Sequence, residues 1–436
     1  MKRSRIFILL LFLLGLVGAW TTNAPIYLRL LYLSILSGVA SWLWVQFSLT
    51  GIRLSRHSRS LRANVGDFYD EYYAVENVNR IPCPWLEIHN ETDLPGAAGS
   101  RVLVNIGKGE KRTYNARTWL VQRGAFPLGP TTLTSRDPLG LFQKNTQVPA
   151  SSELIVLPML VDIESFPAPP GLLPGGKVLR RKSIGVTPHA AGVREYAPGD
   201  ALRRIHWATS ARRQQLMVKE FDQDPQAEVW IFLDAQEEAQ ATRADDGLAP
   251  HWDGWTLGKR PELQLPPSTL EYGVTIAASL VHYFIRARRS IGLVAAGQSN
   301  IAIPADYSTR QEEKILETLA FVKAGTNLSI ESLVRAQAAQ LPSGSSAMLI
   351  TPSVHPELMI TIDELQRRNL HPTVVLLDAE SFGGAAGSAT LEETLKNANI
   401  SVCRVTCGAD LSTALTNFST ATFTKESYLW RKPSTL

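Results

Sequence analysis

Cysteine is nearly absent from this chain. Only Cys83, Cys403 and Cys407 occur among 436 residues, an odd and sparse set that supports neither a disulfide framework nor a zinc site built from paired C-x-x-C motifs. Free thiols of this kind point to a reducing compartment. A strong charge of either sign is also missing. Lys and Arg number 44 against 40 Asp and Glu, a formal net charge of +4. So small a surplus, with its arginines crowded beside an apolar N-terminus and in one central stretch, argues against a nucleic-acid partner. No repeat of solenoid period is visible. The Gly/Ala/Ser run around Ser381–Ser388 lacks the G-x-x-x-x-G-K-[ST] spacing of a phosphate cradle, and no Ser–His–Asp set is readable. With 19% charged and 44% hydrophobic residues, the chain is neither a disordered polyelectrolyte nor collagen-like, and it is long enough for two or three domains.

Long uncharged runs open the sequence. From Ile6 to Leu28, and again from Leu30 to Ile52, no residue is charged, and each run matches the ~20 residues a helix needs to cross a bilayer. Thr21-Thr22-Asn23-Ala24-Pro25 supplies a turn between them. Residues 1–53 therefore read as a two-helix transmembrane hairpin. Lys2, Arg3 and Arg5 flank the first span, while Arg53, Arg56, Arg59 and Arg62 follow the second and only Arg29 charges the far side. The positive-inside bias then expects a multi-pass protein of the cell membrane with its soluble domains in the cytoplasm and the lipid bilayer as its first partner. A signal peptide is the competing reading of Ile6–Val17, but the second span would still anchor the product and no clean A-x-A site follows the first.

Three textures follow the anchor. Residues 63–163 carry short alternating runs, such as Trp85-Leu86-Glu87-Ile88-His89 and Arg101-Val102-Leu103-Val104-Asn105, punctuated by Asn90, Gly96, Gly107 and Gly124. They predict an all-β, sandwich-like domain. Residues 164–192 hold Pro167, Pro169, Pro170, Pro174, Gly175 and Gly176, then the basic cluster Lys177, Arg180, Arg181 and Lys182. This reads as a linker whose charges are solvated, with contact to anionic lipid as the alternative. From 228 to 430 apolar β runs (Val229–Leu233, Ile291–Ala296, Ala347–Ile350, Thr373–Leu377, Ile400–Val405) alternate with helical patterns. That alternation predicts a doubly wound α/β domain, a parallel sheet with helices on both faces. Gln236–Pro267 interrupts the first β–α connection and is expected above the carboxyl edge of the sheet, where open α/β folds hold ligands and where Trp252 and Trp255 would anchor a partner.

Between these domains, at 193–227, lies the densest motif. It reads Arg194-Glu195-Tyr196-Ala197-Pro198-Gly199-Asp200-Ala201-Leu202-Arg203-Arg204-Ile205-His206-Trp207-Ala208-Thr209-Ser210-Ala211-Arg212-Arg213, then Leu216-Met217-Val218-Lys219-Glu220-Phe221. The stretch resembles the signature of the prokaryotic domain of unknown function 58 family, as do the upstream Gln122–Pro130 and Asp137-Pro138-Leu139-Gly140-Leu141-Phe142. Relatives commonly occur beside MoxR-type AAA+ ATPases and von Willebrand factor A-like proteins. The resemblance implies an A-like fold for the α/β domain and such an ATPase as partner, with no established activity.

Taken physically, Pro198-Gly199-Asp200 is a turn in which Asp200 caps a helix from Ala201. The structural reading pairs Glu195, Asp200 and Glu220 with Arg194, Arg203 and Arg212. The alternative turns the arginines to a phosphate or a partner's carboxylate. His206 has no partner at metal-ligand spacing and is expected to pack or hydrogen-bond. An A-like domain would hold a metal through Asp-x-Ser-x-Ser, but here the run is Asp234-Ala235-Gln236-Glu237-Glu238. Asp234 remains, both hydroxyls are lost, and Thr351 stands where a further acid is often placed, so no metal or other cofactor is expected. The expectation is a non-enzymatic, membrane-anchored scaffold or adaptor. Its alternative is a metal-assisted phosphoester hydrolase using Asp234, Glu237 or Glu238 with Asp200.

Overall fold

The computed structural model of the protein describes residues 2–22, 24–149, 152–166, 190–196, 205–221, 228–243, 263–325 and 328–418, as backbone alone at 2, 190–194 and 219–221. They fall into two compact units. One holds the described residues through Met159 together with Leu263, the other Leu160 and the remainder.

The first unit opens with α1 (Lys2–Thr22) and α2 (Pro25–Ser48), both long and apolar enough to cross a membrane. Pro25 starts α2, where its missing N–H costs nothing. The helices approach closely at two glycines of α1. A Cβ at Gly18 would lie 2.2 Å from the Tyr27 ring, and one at Gly15 would lie 2.9 Å from the Leu31 amide nitrogen. Small residues let helix backbones approach this closely.

Ten strands follow: β1 (Ile52–Ser58), β2 (Arg62–Asn64), β3 (Phe68–Asn77), β4 (Cys83–Asn90), β5 (Arg101–Ile106), β6 (Lys111–Trp119), β7 (Gly124–Pro127), β8 (Thr131–Arg136), β9 (Gln143–Val148) and β10 (Glu153–Leu157). Antiparallel sheets β1-β3-β6 and β5-β4-β8-β9 share a core that includes Val75, Leu86, Ile88, Ile106 and Leu133, and a small third sheet has the order β2-β10-β7. Strand pairing starts at Ile52, ahead of the boundary expected at 63. The last turn of α2 belongs to this body. Leu49 is buried in the same core, Ser48 Oγ donates to Ser135 Oγ at 3.0 Å, and Lys144 Nζ donates to Gln46 Oε1 at 2.8 Å.

Alternation along β3 turns Tyr69, Glu71, Tyr73 and Val75 inward, which buries a carboxylate among aromatics. Arg56 meets it from β1. Its Nε donates to Glu71 Oε1 at 2.7 Å, its Nη2 reaches the same oxygen, and its Nη1 donates to Leu128 O at 2.6 Å and Asn90 Oδ1 at 3.1 Å. Burial still raises the Glu71 carboxyl above its ordinary pKa, against the pull of Arg56. Arg56 was counted among the membrane-flanking charges. Its side chain is instead 14% exposed in the sandwich domain, because its register opposite Tyr73 on β3 brings the guanidinium to Glu71, two residues along that strand.

The second unit begins with Leu160–Phe166, strapped to a helix of its own domain. Val161 N donates to Ser279 Oγ at 3.0 Å and Phe166 N to Tyr283 Oη at 3.2 Å. Next come β11 (Ala190–Glu195), α3 (Trp207–Arg213) and β12 (Met217–Phe221), then β13 (Val229–Asp234), α4 (Thr269–Arg286), β14 (Ile291–Ala296), β15 (Asn300–Asp306), α5 (Thr309–Phe321), α6 (Ile330–Ala338), β16 (Ser346–Thr351), α7 (Glu357–Arg367), β17 (His371–Leu377), α8 (Ser388–Asn397) and β18 (Ser401–Val405). The main sheet has the order β15-β14-β13-β16-β17-β18 and is parallel except for the antiparallel edge strand β15. Successive side chains feed opposite faces. Phe232, Val294, Leu349, Val374 and Leu376 meet α6, α7 and α8. Leu233, Ile350 and Leu377 pack beneath Gly273 of α4. Two elements were not anticipated, β15 and α6.

The buried Arg56–Glu71 pair yields a direct comparison. Arg56→Ala should lower the stability of the full-length protein in detergent by about 3 kcal/mol, because it strands a buried carboxylate. Arg117→Ala, which breaks the exposed pair with Asp70 (2.7 Å), should cost under about 1 kcal/mol. Equal losses in thermal melts of the two variants would refute the buried pair.

Candidate functional site

The signature folds around one serine. β11 and β12 pair antiparallel, with Arg194 opposite Val218 and Glu195 opposite Met217, and Ile205 bridges Val218 from the other side. α3 begins at Trp207, and the His206 ring caps it by accepting from Thr209 N through Nδ1 at 3.2 Å. The expectation that a helix from Ala201 runs through Ile205 is therefore corrected at Ile205. Ile205 lies in extended backbone because its pairing with β12 buries it. The helix ends at Gln214, whose left-handed φ of 55° turns the chain back toward β12. Ser210 closes the turn. Its Oγ donates to His206 O at 3.0 Å and accepts from Met217 N at 2.8 Å. Ile205, Ser210, Met217 and Val218 are buried while Trp207, in the same segment, is 68% exposed. Ala211, Arg212 and Arg213 are exposed too, and Arg212 makes no ion pair among the described residues.

A second candidate lies where the main sheet reverses its strand order. The chain runs from β13 outward to β14 and later returns to the other side of β13 with β16, so the crevice beyond the carboxyl ends of β13 and β16 is the switch point that commonly holds ligands in open α/β sheets. Here a hydrogen bond bridges it. Thr351 Oγ1, at the end of β16, donates to Asp234 Oδ2 at 2.6 Å, and Gln236 N donates to Oδ1 at 3.1 Å. Thr351 Oγ1 in turn accepts from Ser353 N at 2.9 Å. Asp234 is buried, and desolvation lifts its carboxyl to about 6 against those hydrogen bonds, with the Glu331 charge pushing the same way. Glu331, in the first turn of α6, is 2% exposed and its Oε1 has no hydrogen-bond partner among the described residues.

Among the described residues, Asp234, Glu237 and Glu238 do not form one cluster. Glu237 and Glu238 are exposed on a short 3₁₀ turn, and Gln236 Nε2 points to Glu238 Oε2 at 3.3 Å rather than to Asp234. Among the described residues, no group of three or more His, Cys, Asp or Glu is arranged to hold a metal ion. Gly199, Asp200 and Arg203, with Trp252 and Trp255 of the insertion, lie outside the described residues, as do the side chains of Arg194, Lys219 and Glu220. Glu195 is exposed, and the Tyr196 amide donates to Leu216 O at 2.8 Å. Sequence reasoning named Ser210 and missed Glu331. Ser210 was legible only as a motif position. Glu331 carried one signal, an acid two residues after Ser329, the cap that starts α6.

A family model described as "Protein of unknown function DUF58" matches residues 192–246. The "Uncharacterized protein YeaD" of Bacillus subtilis (strain 168) is 22% identical over 287 residues, a match that spans 63% of this chain and 63% of that relative's length. Among solved structures, a CARDB domain from Pyrococcus furiosus is 12% identical with a TM-score of 0.17, covering 25% of this chain and 96% of that one. A GH20 exo-β-N-acetylglucosaminidase from Vibrio harveyi is 8% identical with a TM-score of 0.17, covering 80% and 60%. At such scores neither likeness bears on function.

Two outcomes are expected. Ser210→Ala should destabilise the protein by about 1–3 kcal/mol by orphaning the Met217 amide, whereas Trp207→Ala should leave the melting temperature unchanged. For Asp234, a folded pKa near 6 against an ordinary 3.8 means that the folded state keeps a proton the unfolded chain has released. Its stabilisation is present at low pH and is lost as pH rises from about 4 to 6, by roughly 2–3 kcal/mol. Asp234→Asn should remove that part of the pH dependence, and parallel pH–stability profiles for the two proteins would refute the buried neutral acid.

Proposed function

We infer that this chain, a member of the DUF58 family of unknown function, is a membrane-anchored, non-enzymatic scaffold that presents its signature segment to a protein partner. The observation that carries this reading is the 68% exposure of Trp207 between the buried Ile205 and Ser210. Tryptophan and arginine dominate interface energies, and here Trp207 stands on a seven-residue helix with Arg212 and Arg213 at its end. A partner with an acidic face fits that composition. The two apolar helices serve as the anchor, and the surplus of arginine at their ends orients both soluble units to the cytoplasm. The family resemblance suggests a MoxR-type AAA+ ATPase as the partner. The strand order of the main sheet, with one antiparallel edge and Asp234 closing the first strand, supports an A-like reading of that domain. In this reading Asp234 and Thr351 hold the crevice together rather than bind a metal.

The interface reading is tested with full-length protein in detergent and the purified ATPase. Trp207→Ala combined with Arg212→Glu should weaken binding at least tenfold, as loss of an interface hot spot does, with an unchanged melting temperature. Unchanged affinity would exclude this surface, and failure of the wild-type protein to bind any AAA+ ATPase would exclude the partner. For topology, a cysteine at position 23 should react with an impermeant maleimide on intact cells, while one at exposed position 214 should react only after permeabilisation. The reverse pattern would overturn the orientation.

A further inference from the structure

The basic end of the helical hairpin carries a groove that the scaffold reading does not use. A cavity of about 510 Å³ opens there, lined by Arg3, Ser4, Phe7 and Leu11 of α1, Leu33 of α2 and Leu139 of the sandwich domain. Its shape follows from the loop that ends in Phe142. Asp137 folds that loop by accepting from Leu139 N at 3.0 Å and Phe142 N at 2.7 Å. Arg5 then pins it to α1, its Nε donating to Leu141 O at 2.5 Å and its guanidinium lying 6.0 Å from the centre of the Phe142 ring. The turn tip, Leu139, is left 51% exposed beside the end of α1. An apolar residue held in that position suits the boundary between headgroups and acyl chains.

We propose that this groove binds one anionic phospholipid, its phosphate at Arg3 and Ser4 and an acyl chain along Phe7, Leu11 and Leu33. The proposal rests on the membrane-anchor reading and on four further observations. Charge is one-sided, since the first acidic residue of the chain is Asp67 and every charge before it is basic. Arg5 is committed to Leu141 and Phe142, whereas Arg3 is exposed at the groove mouth. Length also fits. Arg3 to Leu11 is eight residues of helix, about 12 Å, close to the ~15 Å of one leaflet's hydrocarbon. The volume lies in the range of small-molecule sites, roughly 300–1,000 Å³.

The test uses the full chain in vesicles and then in detergent. Co-flotation with vesicles of phosphatidylcholine containing phosphatidylglycerol reads the anchor, and native mass spectrometry of the extracted protein reads retained lipid. The wild-type protein should float and keep one phosphatidylglycerol in preference to phosphatidylcholine. Arg3→Ala should lower that preference about fivefold, while Arg53→Ala, which removes the same charge outside the groove, should leave it intact. Flotation without headgroup preference, or equal loss in both variants, overturns the groove alone. A chain that does not float overturns the anchor and the groove together.

Discussion

The first unit depends on a helix that does not stop at its apolar end. Leu49, directly after α2, is a core residue of the sandwich, Ser48 is bonded to Ser135, and β1 begins at Ile52. A flexible linker would leave the helices and the strands independent. Here the register of β1 is set by where α2 enters the core, and that register carries Arg56 to Glu71. The same continuity brings the end of α1 within reach of the loop at Leu141, where Arg5 fastens it. The two apolar helices and the sandwich thus share one set of contacts.

In the second unit, chemistry-bearing residues are spent on holding backbone. Ser210 satisfies the Met217 amide, the His206 ring satisfies the Thr209 amide, and Asp234 is tied to Thr351 and Gln236 across the switch point. Trp207, with the arginines behind it, stays exposed. Buried polar groups that are paired rigidify a fold. An exposed aromatic beside them has no such duty, which is why the proposed contact is placed there rather than at the sheet edge.

Much of this was legible from the sequence, and the failures share a cause. The uncharged runs, the strands near Trp85 and Arg101 and the α/β alternation after Val229 are local patterns of period 2 or 3.6, and the elements stand where those patterns lie. β15 was hidden because Pro304 interrupts a strand that only an edge position tolerates. α6 was hidden by its length of nine residues. The Pro198-Gly199-Asp200 turn drew attention to a helix at Ala201, while the helix that forms beside β12 is capped by His206. Arg56 looked like a membrane-flanking charge because its partner, Glu71, is met only across two strands. Glu331 and the groove at Arg3 depend on contacts between distant segments, which no single window reports.

The central claim is that Trp207 is a contact for a protein partner at the membrane. A photoreactive amino acid at position 207, activated in native membranes, tests it most directly, with position 217 as the buried control. The account predicts an adduct with an AAA+ ATPase from position 207 and none from position 217. No intermolecular adduct from position 207, or the same adducts from both positions, would contradict it.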